Sequence, residues 1–132
     1  MPHHPGRYAE ILGRKMKEHG VKVWMINTGW SGGPYLKGNR IRLAYTRAMI
    51  TAALEGRLDH VDYDTHAVFG MAMPLTCPGV PAGILNPRNT WSDQAEYDKM
   101  ARELAGWFIN NFKKYEEGVT SEVRAAAPTP GN

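Results

Sequence analysis

The chain has 132 residues, 42% of them hydrophobic, and a formal net charge of +3. That apolar content supports a core and argues against bulk disorder, and the length suits one domain or a piece of one. Acidic residues are interleaved with the basic ones and no Lys/Arg run alternates with aromatics, so nothing marks a nucleic-acid groove.

The opening PHHPGRYAEILG enters a helix almost at once and reads as the middle of a longer chain. RYAEILGRKMKEH, residues 7–19, predicts an amphipathic helix with Tyr8, Ile11, Leu12 and Met16 on one face and Gly20 as its stop. VKVWMIN, residues 21–27, is rich in β-branched and aromatic residues and predicts a buried strand. A glycine-rich stretch, NTGWSGGPYLKGNR, follows, and RIRL at 40–43 suits a short strand or turn. YTRAMITAALEG predicts a second helix from about Tyr45 to Gly56, with Ile50, Ala53 and Leu54 as its buried stripe.

Residues 59–76 alternate loosely and are β-like, until Pro74, Pro78 and Pro81 break regular structure. NPRNTWSD leads into a last helix, from Asp93 to about Tyr115, with Ser92 as its expected N-cap. Tyr97, Met100, Ala101, Leu104, Phe108, Asn111 and Tyr115 step by 3 or 4 along it, so it needs a substantial partner surface. Residues 1–117 are therefore taken as one incomplete domain and 118–132 as a flexible tail. Cys77 is the only cysteine, which excludes an intramolecular disulfide. No apolar run approaches the roughly 18 residues of a membrane span and no signal-peptide core is present, so a cytoplasmic setting is expected.

Five constellations could carry chemistry. The glycine-rich stretch looks like a phosphate cradle, and Gly33 and Gly38 have P-loop spacing. Asn39 and Arg40, however, stand where that motif needs Lys and Ser/Thr. His60, Asp62, Asp64 and His66 would share one face of a strand as mixed metal ligands. Neighbours on a strand face spread along its axis, so one ion cannot reach all four, and a solvated face is the plainer reading. Cys77 lacks a base close in sequence and reads as a packed, idle thiol. Arg88 is expected to fix its turn by hydrogen-bonding loop carbonyls. Arg40, Arg42 and Arg47 form a basic cluster beside the glycines, where Arg could meet phosphate or stack on a nucleobase.

The literal string goes further. NTGWSGGPYLKGNRIRLAYTRAMI, then CPGVPAGILNPRNTW, then a helix ending FINNFKKY, resembles the C-terminal part of ATP-dependent phosphoenolpyruvate carboxykinase over about residues 4–115. The resemblance implies a mixed α/β fragment of the nucleotide-binding lobe of a two-lobed enzyme, with about three helices and a few strands. The family converts oxaloacetate and ATP reversibly to phosphoenolpyruvate, CO₂ and ADP in gluconeogenesis, with Mg²⁺ and Mn²⁺. It implies ATP contacts on the adenosine side by Arg40, Ile41 and Thr46. The family's phosphate loop, metal ligands and substrate-binding residues lie upstream of the matched region, so no catalytic or metal-binding residue is assigned here. Two readings follow. One is a segment of the enzyme, inactive alone, prone to self-association or to pairing with the missing N-terminal part. The other is a standalone nucleotide-binding or assembly module derived from it.

Overall fold

The computed structural model describes residues 3–131. Helix α1, Pro5–His19, starts where the His4 imidazole accepts a hydrogen bond from the Gly6 amide and ends on Gly20 in the left-handed conformation. Strands β1, Trp30–Ser31, and β2, Asn39–Arg40, pair antiparallel, Trp30 with Arg40 and Ser31 with Asn39. Helix α2, Leu43–Leu54, follows directly. Strands β3, Tyr63–Thr65, and β4, Ala72–Pro74, form a second antiparallel hairpin within the β-like stretch. Two 3₁₀ turns, Ala82–Ile84 and Pro87–Thr90, lead to helix α3, Gln94–Phe112, and then to a short helix α4, Ser121–Ala125. The architecture is thus mixed α/β, with three long helices, one short one and two small sheets.

Several expectations are corrected. Residues 21–27 are extended but belong to neither sheet. Val21, Val23 and Met25 are 51%, 56% and 81% exposed. The segment has strand composition, but among the described residues no strand lies beside it. The N-cap of α3 is Asp93, not Ser92: its carboxylate accepts from the Ala95 and Glu96 amides. α2 buries Thr46 and Ala52, while Ile50 and Leu54 face out. α3 buries only Ala101 and Ala105, one turn apart, and leaves Met100, Leu104 and Phe108 open.

The core is correspondingly small. Ala52, Leu58, Cys77 and Val80 form its buried centre, with Trp24, Tyr45, Met49 and Leu85 packed partly against it. No large side chain is fully buried among the described residues. The accessible surface is 9714 Å², against about 6,900 Å² for a folded monomer of this mass. Large apolar side chains are among the exposed residues, including Met25, Leu54, Trp107 and Phe108. A cleft of about 640 Å³ opens between the second half of α3, Phe69, Met71 and the segment carrying Val123, with Met25 at its edge.

Candidate nucleotide-binding site

The β1–β2 hairpin is built from backbone constraints. Gly38 crosses the chain so closely that a Cβ there would lie 2.5 Å from both the Gly33 and Ser31 carbonyl oxygens. Only glycine fits. Gly32 has a φ of +80°, and a Cβ on it would lie 2.8 Å from the Thr90 carbonyl oxygen. The turn between the strands is closed by the Pro34 carbonyl, which accepts from the Lys37 and Gly38 amides at 3.0 and 2.9 Å. Leu36 sits in this turn with a φ of +76°, a costly conformation for a branched side chain, and is largely exposed. The glycines therefore make a tight, defined hairpin rather than a flexible connection.

That hairpin fixes the backbone on both sides of the basic cluster. Arg40 pairs with Trp30 across the sheet, and the Ile41 amide donates to the Gly29 carbonyl at 2.9 Å. The Arg40 side chain is exposed and Ile41 is half-buried. Thr46, in the first turns of α2, is only 7% exposed, and its amide donates to the Arg42 carbonyl at 3.2 Å. Arg40 and Ile41 are thus adjacent at one end of β2, while Thr46 lies buried on the next element, α2. The Arg42 guanidinium stands 5.9 Å from the Tyr45 ring centre, a cation–π contact that occupies one face of that ring.

The hairpin is also tied to the rest of the molecule. The Ser31 hydroxyl donates to the Thr90 hydroxyl at 3.0 Å, which donates to the Pro87 carbonyl at 2.7 Å. The Lys37 ammonium reaches the Glu96 carboxylate on α3 at 3.3 Å. Trp30 and Tyr35 meet edge to face at 5.2 Å. The Ser31–Thr90 and Lys37–Glu96 partners are each 59 positions apart, so no local spacing reveals them.

Arg88 does not bond loop carbonyls. Its fork holds both oxygens of Asp98, at 2.7 and 2.9 Å, and its remaining arm reaches the Gln94 side-chain oxygen. A carboxylate offers a bidentate, charged acceptor, which outcompetes neutral carbonyls. The pairing pushes the Arg88 pKa up and holds Asp98 below the usual carboxylate range. Arg88 thereby clamps the second 3₁₀ turn to α3.

His66 is buried. Its Nδ1 accepts from the Val68 and Phe69 amides, each at 3.2 Å, which leaves the proton on Nε2 to donate to the Tyr97 hydroxyl at 2.6 Å. Both ring nitrogens are occupied by the protein itself. Burial lowers the His66 pKa and raises that of Tyr97. Among the described residues no three His, Cys, Asp or Glu side chains form a group that could hold a metal ion. Cys77 sits in the core, where burial pushes its thiol up. Among the described residues no helix is long and apolar enough to cross a membrane.

Comparison with known proteins places this geometry. A family model described as phosphoenolpyruvate carboxykinase matches residues 1–83. The ATP-dependent phosphoenolpyruvate carboxykinase of Flavobacterium johnsoniae is 60% identical over 128 residues, covering 97% of this chain and 24% of that protein. Those of Christiangramia forsetii and Thermus thermophilus are 56% and 51% identical with the same coverage. The chain therefore spans about a quarter of the length of these relatives. The chain belongs to the ATP-dependent phosphoenolpyruvate carboxykinase family.

Proposed function

We propose that this chain is the adenosine-side segment of a phosphoenolpyruvate carboxykinase, inactive by itself. In the assembled enzyme it would help hold ATP while oxaloacetate is converted to phosphoenolpyruvate and CO₂. The observation that carries this reading is the pinned hairpin. It presents Arg40 with its backbone fixed by Trp30 and its guanidinium open to solvent. A planar cation held this way can lie against a purine ring, and Ile41 beside it offers apolar contact. Thr46, on the following helix, would contribute a hydroxyl hydrogen bond.

The remaining chemistry belongs to parts of the family polypeptide outside this chain. Phosphoryl transfer needs a phosphate loop and metal-assisted charge neutralisation. Asn39 and Arg40 occupy the places where a phosphate loop carries Lys and Ser/Thr. The surface excess also weighs against a standalone module, because a self-sufficient domain of this mass hides more of its apolar side chains.

Calorimetry tests the reading. ATP is titrated into this chain mixed with the part of the Flavobacterium johnsoniae enzyme outside the matched 128 residues. Wild type should bind, and Arg40→Ala should weaken binding about tenfold, the worth of one desolvated stacking cation. Equal affinity for the two would remove Arg40 from the site.

A further inference from the structure

Residues 21–26 form an extended segment with two different faces. On one, Lys22 pairs with Asp59, and Trp24 packs on the core cluster and lies 6.4 Å from the Tyr63 ring. Ile26, at the next even position, is half-buried. On the other, Val21, Val23 and Met25 are all exposed. This is the period-2 pattern of a strand, with both faces carrying apolar residues. Among the described residues, no backbone hydrogen bond reaches residues 21–26. A strand that is apolar on both faces belongs inside a sheet, yet here its backbone groups have no backbone partner among the described residues.

Resting on the segment reading above, we propose that residues 21–26 pair with a β-strand supplied by the rest of the carboxykinase polypeptide, which also covers Val21, Val23 and Met25. Three observations favour that occupant over a second copy of this chain or an unrelated protein. The family relatives carry about three-quarters of their length outside the matched region. The chain exposes far more surface than a closed domain of its mass. Met25 also borders the large apolar cleft beside Phe108, so the open strand face and the cleft form one continuous unfilled surface. Pairing would fix the residues that lead directly into the β1–β2 hairpin, so it would position Arg40 as well as add stability.

The test is amide hydrogen exchange, read residue by residue, for this chain alone and mixed with the remainder of the Flavobacterium johnsoniae enzyme. Alone, the amides of residues 21–26 should exchange freely. In the complex, alternate amides should slow by about a hundredfold or more, as in a protected sheet. Val23→Lys, at an exposed position that should not disturb the isolated fold, should weaken association by at least about tenfold, because an edge charge opposes strand addition. Val23→Thr, still β-branched, should associate nearly as well as wild type. Association without protection of these amides, or insensitive to Val23→Lys, overturns the strand pairing and leaves the segment reading standing. Failure of the two polypeptides to associate at all overturns both. Equal protection from a second copy of this chain alone, at the same concentration, would overturn the choice of occupant.

Discussion

The two sides of this molecule hide their apolar residues to different degrees. Around α2, Ala52, Leu58, Cys77 and Val80 are buried together, and the β1–β2 hairpin is bound to the second 3₁₀ turn through Ser31 and Thr90. Along α3, Ala101 and Ala105 are buried, but Trp107 and Phe108 are 57% and 55% exposed. The first side is held by its own chain. The second leaves its large apolar rings open. The difference teaches where the segment ends as a physical unit: the part proposed to meet ATP is internally braced, and the part facing outward is not.

The sharpest way to break this contrast is to truncate one residue on each side. Leu58→Ala should cost about 2–5 kcal/mol in urea unfolding, as for other buried leucines. Trp107→Ala should cost the isolated chain about 0.5 kcal/mol or less, since an exposed ring loses little. A Trp107→Ala cost equal to that of Leu58→Ala would mean the two sides are not different. Next in size is Gly38→Ala. Its new Cβ would collide with two backbone oxygens, so a loss of about 1–3 kcal/mol is expected. The signal to follow is the Ile41 amide, whose bond to Gly29 should weaken as the hairpin is forced apart.

A smaller effect comes from His66. Its pKa lies below its ordinary value of 6.5 because burial disfavours the charged ring. The unfolded chain therefore binds a proton more readily than the folded one. His66 leaves stability unchanged above the unfolded value and erodes it as the pH falls below about 6.5. Protonation would also put a hydrogen on Nδ1, which now accepts two amides. Its side-chain hydrogen-bond partner is Tyr97, whose hydroxyl in turn feels the charges of Asp98 and Arg88. The melting temperature of wild type should drop between pH 7 and 5 by more than that of His66→Asn, whose side-chain oxygen can still accept amides but does not titrate. Parallel curves would show that His66 is not the acid-sensitive group. The smallest change is expected for Arg88→Lys. It keeps the charge beside Asp98 but loses the two-pronged bond, so it should lower stability less than any substitution above and leave ATP affinity unaltered.

Much of the fold was legible in the sequence where local rules govern. The helix ending at Gly20, the β-like character of residues 59–76 and the last helix follow from periodicity, glycine and capping chemistry. The cap moved from Ser92 to Asp93 because adjacent residues can both cap and only backbone geometry chooses. The strand expected at residues 21–27 failed for a different reason: composition gives the preference, but a strand exists only with a neighbour. The stripe on α3 was likewise a correct pattern, while its burial depends on a surface this chain lacks. Asn39 and Arg40 showed that the glycines are not a phosphate loop. That they build a tight hairpin was not legible, because it rests on backbone approaches, of Gly38 to Ser31 and Gly33 within the hairpin and of Gly32 to Thr90 on another element, that spacing does not reveal. The contacts of Arg88 and His66 were missed because their partners, Asp98 and Tyr97, lie on another element.

The central claim is that this chain is a braced nucleotide-side segment and not an enzyme by itself. It is tested most directly by a coupled assay of oxaloacetate decarboxylation with ATP, Mg²⁺ and Mn²⁺. The account predicts no turnover by the chain alone, none by the complementary polypeptide alone, and measurable turnover when the two are mixed. Metal-dependent turnover by the isolated chain would contradict it.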